Sequence, residues 1–330
     1  MGAMKVGILG CGHIASKNVG MIKALEGMEV VACAARDIDR AKAFASQFGI
    51  ERAYGSYAEL AEDAEVELVY VTTIHSLHYE HMMLCLNGGK NVICEKAFTV
   101  NAEEAEQVFA LARSKHLFVS EAIWTRYQPA RTLIKHLIQR IGKVTNVSAK
   151  LGAKIVWKDR ISMPEQGGGA ILDLGVYVIN FVLMAREGVP ISKMAGLCTK
   201  NERGADIREE MLFQFEDGST ATMSTDTEAD THKRGIIQGE DGFIEVDNIN
   251  NPKLIKLWSG TKNSVLMAQY PLNHEYNGYE YEFIAAKKAI EAGRLESYDM
   301  PWSETLRVMR LMDGFRRSWG VKLGRELEES

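Results

Sequence analysis

The stretch Met4-Lys5-Val6-Gly7-Ile8-Leu9-Gly10-Cys11-Gly12-His13-Ile14-Ala15 decides the fold class. Lys5–Leu9 reads as a short apolar strand, Gly10-Cys11-Gly12 as a turn, and Ile14–Leu25 as a helix. The order is strand, G-x-G-x-x-A, helix. In that setting each small residue has a physical task. Gly10 permits the tight turn, Gly12 lets backbone approach a pyrophosphate, and Ala15 allows close helix–strand packing. The unpaired N–H groups at the helix start then face the phosphates. The pattern points to dinucleotide binding; the alternative is an α/β domain with a glycine turn and no cofactor.

Outward from this loop the chain alternates strand and helix. Glu29–Ala35, Leu68–Thr72, Asn91–Glu95 and Leu117–Ser120 are apolar strand-sized runs. Between them, helical patterns cover Asp39–Phe48, His78–Asn87 and Ala102–His116, with Asp37 or Asp39 as N-cap. Such alternation builds βαβ units around a parallel sheet, and it accounts for residues 1–122. From residue 123 to 330 the texture changes. Pro129–Ile141 is amphipathic, a glycine cluster at 167–169 opens a helix to about Ala185, and seven short strand-like runs follow. They are separated by turns such as Glu216-Asp217-Gly218 and Glu240-Asp241-Gly242, which predicts an antiparallel sheet closed by two helices.

The 330 residues are 46% hydrophobic and 25% charged, the balance of a globular protein with two cores. A net charge of −5 leaves no basic field for nucleic acid. The apolar runs are strand-sized, so no membrane span is expected. Five cysteines without a CxxC pair, and no signal-peptide pattern, predict a cytoplasmic location.

Three further features bear on chemistry. At the end of the second strand, Ala34-Ala35-Arg36-Asp37 offers a small residue and a guanidinium, which suit the 2′-phosphate of NADP. The other reading makes Asp37 the ribose ligand of NAD and Arg36 a solvated surface residue. Lys96, in Cys94-Glu95-Lys96-Ala97, stands at the carboxyl end of a parallel strand, where open α/β sheets bind ligands. Alone it would read as a snorkelling lysine. In a helix beginning near Gly169, Asp173 and Tyr177 share a face, putting a carboxylate beside a phenol; a packing tyrosine is the plainer alternative. His75, His78 and His81 with Glu80 invite a metal reading, but no distant partner set accompanies them, and no metal is expected.

Taken together, Gly10-x-Gly12-x-x-Ala15, residues 73–78 (TIHSLH), 89–96 (GKNVICEK) and 168–177 (GGAILDLGVY) resemble the glucose–fructose oxidoreductase/inositol dehydrogenase (Gfo/Idh/MocA) family over essentially the whole chain. Ala35-Arg36-Asp37, residues 121–126 (EAIWTR) and Tyr177 are most similar to the branch of dimeric dihydrodiol dehydrogenases and NADP-dependent D-xylose dehydrogenases. The resemblance implies a Rossmann domain, with its doubly wound parallel sheet, plus an α+β C-terminal domain with a large, mostly antiparallel sheet, and a homodimer or homotetramer. It implies hydride transfer between nicotinamide C4 and a carbinol carbon of a sugar, polyol or cyclic diol. A cofactor-binding sensor of the same fold, without catalysis, is the alternative.

For the site, the resemblance implies that Tyr177 takes the hydroxyl proton, Lys96 holds the substrate oxygen, and Asp173 orients Lys96 or the substrate. A free tyrosine titrates near 10, and bringing it close to neutrality needs roughly 3–4 kcal/mol, which a cation within a few ångströms supplies in a partly desolvated cleft. The cofactor would meet Gly10, Gly12, His13, Ile14, Arg36, Thr73, His75, His78, Glu95, Trp124 and Arg126, the last being equally a substrate ligand or the partner of an acidic neighbour. Relatives usually read Glu-Lys-Pro, frequently with a cis peptide, and Thr-Pro-Asn; here Ala97 and Thr73-Ile74-His75 stand instead. Where inositol dehydrogenases have histidine this chain has Tyr177.

Overall fold

A computed structural model describes residues 2–260 and 262–327. The chain divides into two compact units: residues up to Ile123 together with Tyr276–Met309, and Trp124–Glu275 together with the residues from Arg310 onward.

In the first unit six strands run parallel: β1 (Met4–Leu9), β2 (Met28–Ala34), β3 (Arg52–Tyr54), β4 (Leu68–Val71), β5 (Asn91–Glu95) and β6 (Val119–Ala122). Their order is β3-β2-β1-β4-β5-β6, so the chain reverses its direction of growth between β1 and β4. That crevice is where doubly wound sheets take ligands. The central strands are buried on both faces, which is why they read as continuous apolar runs rather than alternating ones.

The helices begin and end where local chemistry dictates. Of the two expected caps it is Asp37 that opens α2 (Ile38–Phe48), accepting from the N–H of Asp39 at 2.7 Å and of Arg40 at 3.3 Å. Gly49, with φ +60°, ends it. Helix α1 (His13–Ala24) differs: it starts at Gly12 with no side chain capping its first N–H groups.

The expected division at residue 122 continued the second domain unbroken to 330. Instead, residues 276–309 return to the first unit. Helix α9 (Glu280–Glu291) buries Phe283, Ala286 and Ala289, and the Phe283 ring meets Tyr70 of β4 edge-on at 5.0 Å. The Trp302 indole stacks on Phe109 at 4.9 Å and donates to the Val119 carbonyl at 2.9 Å. Burying these aromatics against the apolar sheet is worth about 1.5–3 kcal/mol each, enough to recruit a distant segment.

The second unit holds an eight-stranded sheet ordered β14-β13-β12-β11-β7-β10-β9-β8. It runs from β7 (Val144–Gly152) through β8 (Ile191–Lys200), β9 (Asp206–Phe215), β10 (Thr220–Asp226), β11 (Gly235–Gly239), β12 (Gly242–Val246) and β13 (Leu254–Ser259) to β14 (Val265–Pro271). Among the described residues of this sheet, only β7 and β10 pair in parallel. On β9, alternate residues Glu209, Met211, Phe213 and Phe215 point inward, the period of a half-buried strand. The inner face is covered by α8 (Val176–Ala185), nearly all of it buried. Residues 164–185 are, by length and composition, apolar enough to cross a membrane, longer than the strand-sized runs expected. Since 94% of that window is buried, the stretch is the core helix of this unit.

Candidate active site

The glycine loop forms as its sequence demands. Gly10 has φ +105°, and a Cβ there would lie 2.9 Å from Thr72 Oγ1, so only glycine fits. Thr72, at the end of β4, donates through that hydroxyl to the Gly10 carbonyl at 2.6 Å and pins the loop to the crevice. At Gly12 the nearest atom to an added Cβ is 4.0 Å away, leaving open space above the uncapped start of α1. A small residue beside free N–H groups is a cradle for a phosphate. Arg36 is exposed at the end of β2. Asp37, its rival as cofactor ligand, already spends its carboxylate on the start of α2. Arg40, which the sequence reading missed, donates to the Cys11 carbonyl at 3.2 Å and brings a second guanidinium to the loop.

Lys96 follows β5, two strands along from β1 at the same end of the sheet, and the Lys96–Ala97 peptide is cis. Its carbonyl faces His75 Nε2 at 3.2 Å. His78 sits between two carbonyls, with Nδ1 2.9 Å from Ala97 O and Nε2 3.0 Å from Thr73 O. A neutral ring donates through one nitrogen only, and burial pulls His78 below the ordinary histidine range, so one of the two receives the N–H. This changes the expected role. Fully buried, His78 braces the loops carrying Thr73 and Lys96 and has no surface to offer a cofactor. His81 bonds Thr73 Oγ1 through Nδ1 at 2.9 Å and is pushed down to about 4, chiefly by burial and then by His78 and Arg36. Among the described residues no group of three or more His, Cys, Asp or Glu is placed to hold a metal ion. Glu95 is turned into the core, where it accepts from the Tyr70 hydroxyl; Tyr70 in turn accepts from Asn18 at 3.0 Å. Burial raises the Glu95 carboxyl above its usual range.

The second unit carries the other candidates. Trp124 and Arg126 form a buried 3-10 turn, and Arg126 Nε donates to Asn180 Oδ1 at 2.7 Å. Asn180 donates in turn to the Val176 carbonyl at 2.7 Å, tying that turn to α8. The helix expected from Gly169 opens instead with a π-turn, Ile171–Gly175, before α8 continues it. Asp173 and Tyr177 therefore lie in one continuous helical run, 6% and 8% exposed. Asp173 accepts from Arg160 Nη1 at 3.0 Å, a partner no motif had signalled because it comes from the separate short helix α7 (Asp159–Ser162).

Residues 4–123 match the family model described as "Oxidoreductase family, NAD-binding Rossmann fold", and residues 127–245 match "GFO/IDH/MocA C-terminal domain". The trans-1,2-dihydrobenzene-1,2-diol dehydrogenase of Danio rerio is 33% identical over 97% of this chain and 98% of its own. The chain belongs to the Gfo/Idh/MocA oxidoreductase family. The Bos taurus enzyme of the same name is 32% identical over the same shares. A 3-ketoreductase from Actinomadura kijaniata, solved with NADP and TDP-benzene, superposes on this family member with a TM-score of 0.86 at 25% identity, covering 98% of this chain and 99% of its own. An aldose-aldose oxidoreductase from Caulobacter crescentus shares the fold, with a TM-score of 0.84 at 20% identity and coverage of 96% and 97%. As a Gfo/Idh/MocA protein the chain is an NAD(P)-binding oxidoreductase, and its glycine loop lies in the unit that the NAD-binding model matches.

Proposed function

We propose that this protein is an NADP-dependent dehydrogenase or reductase of a sugar, polyol or cyclic diol, acting in a reducing cytoplasm where its five free thiols persist. The observation that carries the reading is Lys96 at the carboxyl end of β5, on the edge of the sheet where Gly10 and Gly12 open the phosphate cradle. The nicotinamide dinucleotide, when bound, supplies the hydride acceptor or donor. The chain's own residues do the rest. Gly12 and the uncapped N–H groups of α1 receive the pyrophosphate, with His13 and Ile14 alongside. Arg36, assisted by Arg40, binds the 2′-phosphate. Lys96 holds the substrate oxygen, Tyr177 exchanges the hydroxyl proton, and Asp173, held by its ion pair with Arg160, orients the substrate hydroxyls. Proton exchange by a positioned phenol is worth about 10²–10⁴ in rate.

The substrate class rests on the dihydrodiol dehydrogenases that the chain resembles over nearly its whole length. Homodimerisation through the eight-stranded sheet fits Leu197 on β8 and Leu212 on β9, which are 77% and 50% exposed.

The test is turnover with aldoses, inositols and trans-dihydrodiols, followed at the nicotinamide absorbance band. Lys96→Met and Tyr177→Phe should each lower kcat at least a hundredfold while the Kd for NADP stays within threefold. Near-normal turnover in both variants would refute the assigned roles. NADP binding without turnover of any carbinol would mark a sensor instead.

A further inference from the structure

Beneath the turn that carries Asp173, the second unit buries two carboxyl groups that the reaction does not use. Asp206 opens β9 with no exposed surface, and Glu209, three residues on, is 2% exposed. Asp206 Oδ2 accepts from the N–H of Ile171, the first residue of the π-turn, at 2.7 Å. Glu209 Oε2 accepts from the Thr225 hydroxyl at 2.6 Å, across the register pair Thr225–Glu209 of β10 and β9. The remaining oxygens, Asp206 Oδ1 and Glu209 Oε1, meet no other donor among the described residues.

Two of the glycines around Asp173 leave room for this pair. Gly169 has φ +128°, and a Cβ there would lie 2.9 Å from Asp206 Cγ. A Cβ on Gly175 would lie 3.2 Å from Glu209 Oε2. The carboxyls thus back both ends of the turn. Two buried carboxylates repel, whereas one shared proton lets an acid donate to a carboxylate. Burial first, and then the charge of Asp206, raise Glu209 well above the ordinary carboxylate range, which favours Glu209 as the member of the pair that carries a proton.

We propose that Asp206 and Glu209 are a positioning pair that sets the pitch of the 171–175 turn and, through it, the attitude of Asp173 and Tyr177. Asp206 holds the turn by its first N–H, and Glu209 holds Asp206. The proposal rests on the reading of Asp173 and Tyr177 as groups that meet the substrate.

Four variants test it, each in the full-length protein: Asp206→Ala, Asp206→Asn, Glu209→Ala and Glu209→Gln. A glutamine at 209 keeps both bonds of the protonated acid, because its amide N–H can donate to Asp206 and its carbonyl can accept from Thr225. Glu209→Gln should therefore keep at least half of the wild-type kcat, and Glu209→Ala should lose at least tenfold. Asp206→Ala should lose at least tenfold in kcat with the KM for NADP within twofold, since the glycine loop belongs to the other unit. Asp206→Asn, which keeps an oxygen for Ile171, should fall between and covers the case in which Asp206→Ala fails to fold.

Backbone hydrogen exchange over residues 171–177 gives a readout independent of turnover. Exchange should speed up at least tenfold in Asp206→Ala and stay within twofold in Glu209→Gln. The pair is overturned if Asp206→Ala keeps wild-type kcat and protection, or if Glu209→Gln is as damaged as Glu209→Ala. Should the wild type turn over no carbinol while exchange follows this pattern, the pair stands and the role given to Tyr177 falls.

Discussion

Substituting Gly169 by alanine measures how tightly the turn carrying Asp173 is built. Its φ of +128° lies where L residues are rarely found, and holding alanine there costs about 1–3 kcal/mol. The new methyl would also overlap the buried Asp206 carboxylate, which bonds the Ile171 N–H at 2.7 Å. Displacing that carboxylate forfeits a charge-assisted hydrogen bond of about 1.5–3 kcal/mol. The two terms come to about 2.5–6 kcal/mol. At about 2–4 °C per kcal/mol for a unit of roughly 150–250 residues, Tm should fall by about 5–24 °C. Gly188 supplies the comparison within the same unit. It too has positive φ, at +78°, but nothing lies within 4 Å of an added Cβ, so Gly188→Ala should cost only about 1–2 kcal/mol. Scanning calorimetry on both variants decides. If Gly169→Ala melts no lower than Gly188→Ala, the carboxylate does not back the turn and the reasoning fails.

Arg36→Ala should raise the KM for NADP at least tenfold and leave that for NAD within twofold, because only the 2′-phosphate distinguishes them. An equal effect on both cofactors would return Arg36 to the solvated surface. Arg160→Ala should lower kcat several-fold while NADP titration is unchanged, since it removes the ion pair at Asp173; an unaltered kcat would show that Asp173 needs no such support. Glu282, at 1% exposure, is held well above the usual carboxylate range by burial, then by Glu95 and Glu280. The folded chain therefore keeps a proton that the unfolded chain releases above about pH 4.3. That contribution to stability is full below this pH and declines as pH rises toward the folded pKa. Glu282→Gln should accordingly match wild-type Tm near pH 4.5 and exceed it by a few degrees at pH 8; an equal difference at both pH values would refute the assignment.

Much of the fold was legible because its causes are local. The glycine loop needs only neighbours along the chain, and βαβ alternation shows in periodicity, so β1, β4, β5 and the helices between them emerged close to their observed bounds. Candidates tied to local motifs, such as Gly10 and Lys96, could be named for the same reason. What escaped the sequence depends on partners far along the chain. Residues 276–309 join the first unit through contacts such as Trp302 with Val119, 183 positions apart. His78 stands at a loop expected to meet cofactor, yet the turn of the chain gives both its nitrogens to backbone carbonyls.

The sequence by itself determined a dinucleotide-type sheet and a strand-rich second half, and it named Asp173 and Tyr177 as candidate site groups. Only the tertiary structure decided what stands behind them: Arg160 on Asp173, and Asp206 with Glu209 beneath the π-turn. The physical reason is that backbone periodicity is written residue by residue. A buried charge is tolerated only where distant strands bring it a partner, and no spacing rule records which strands those will be.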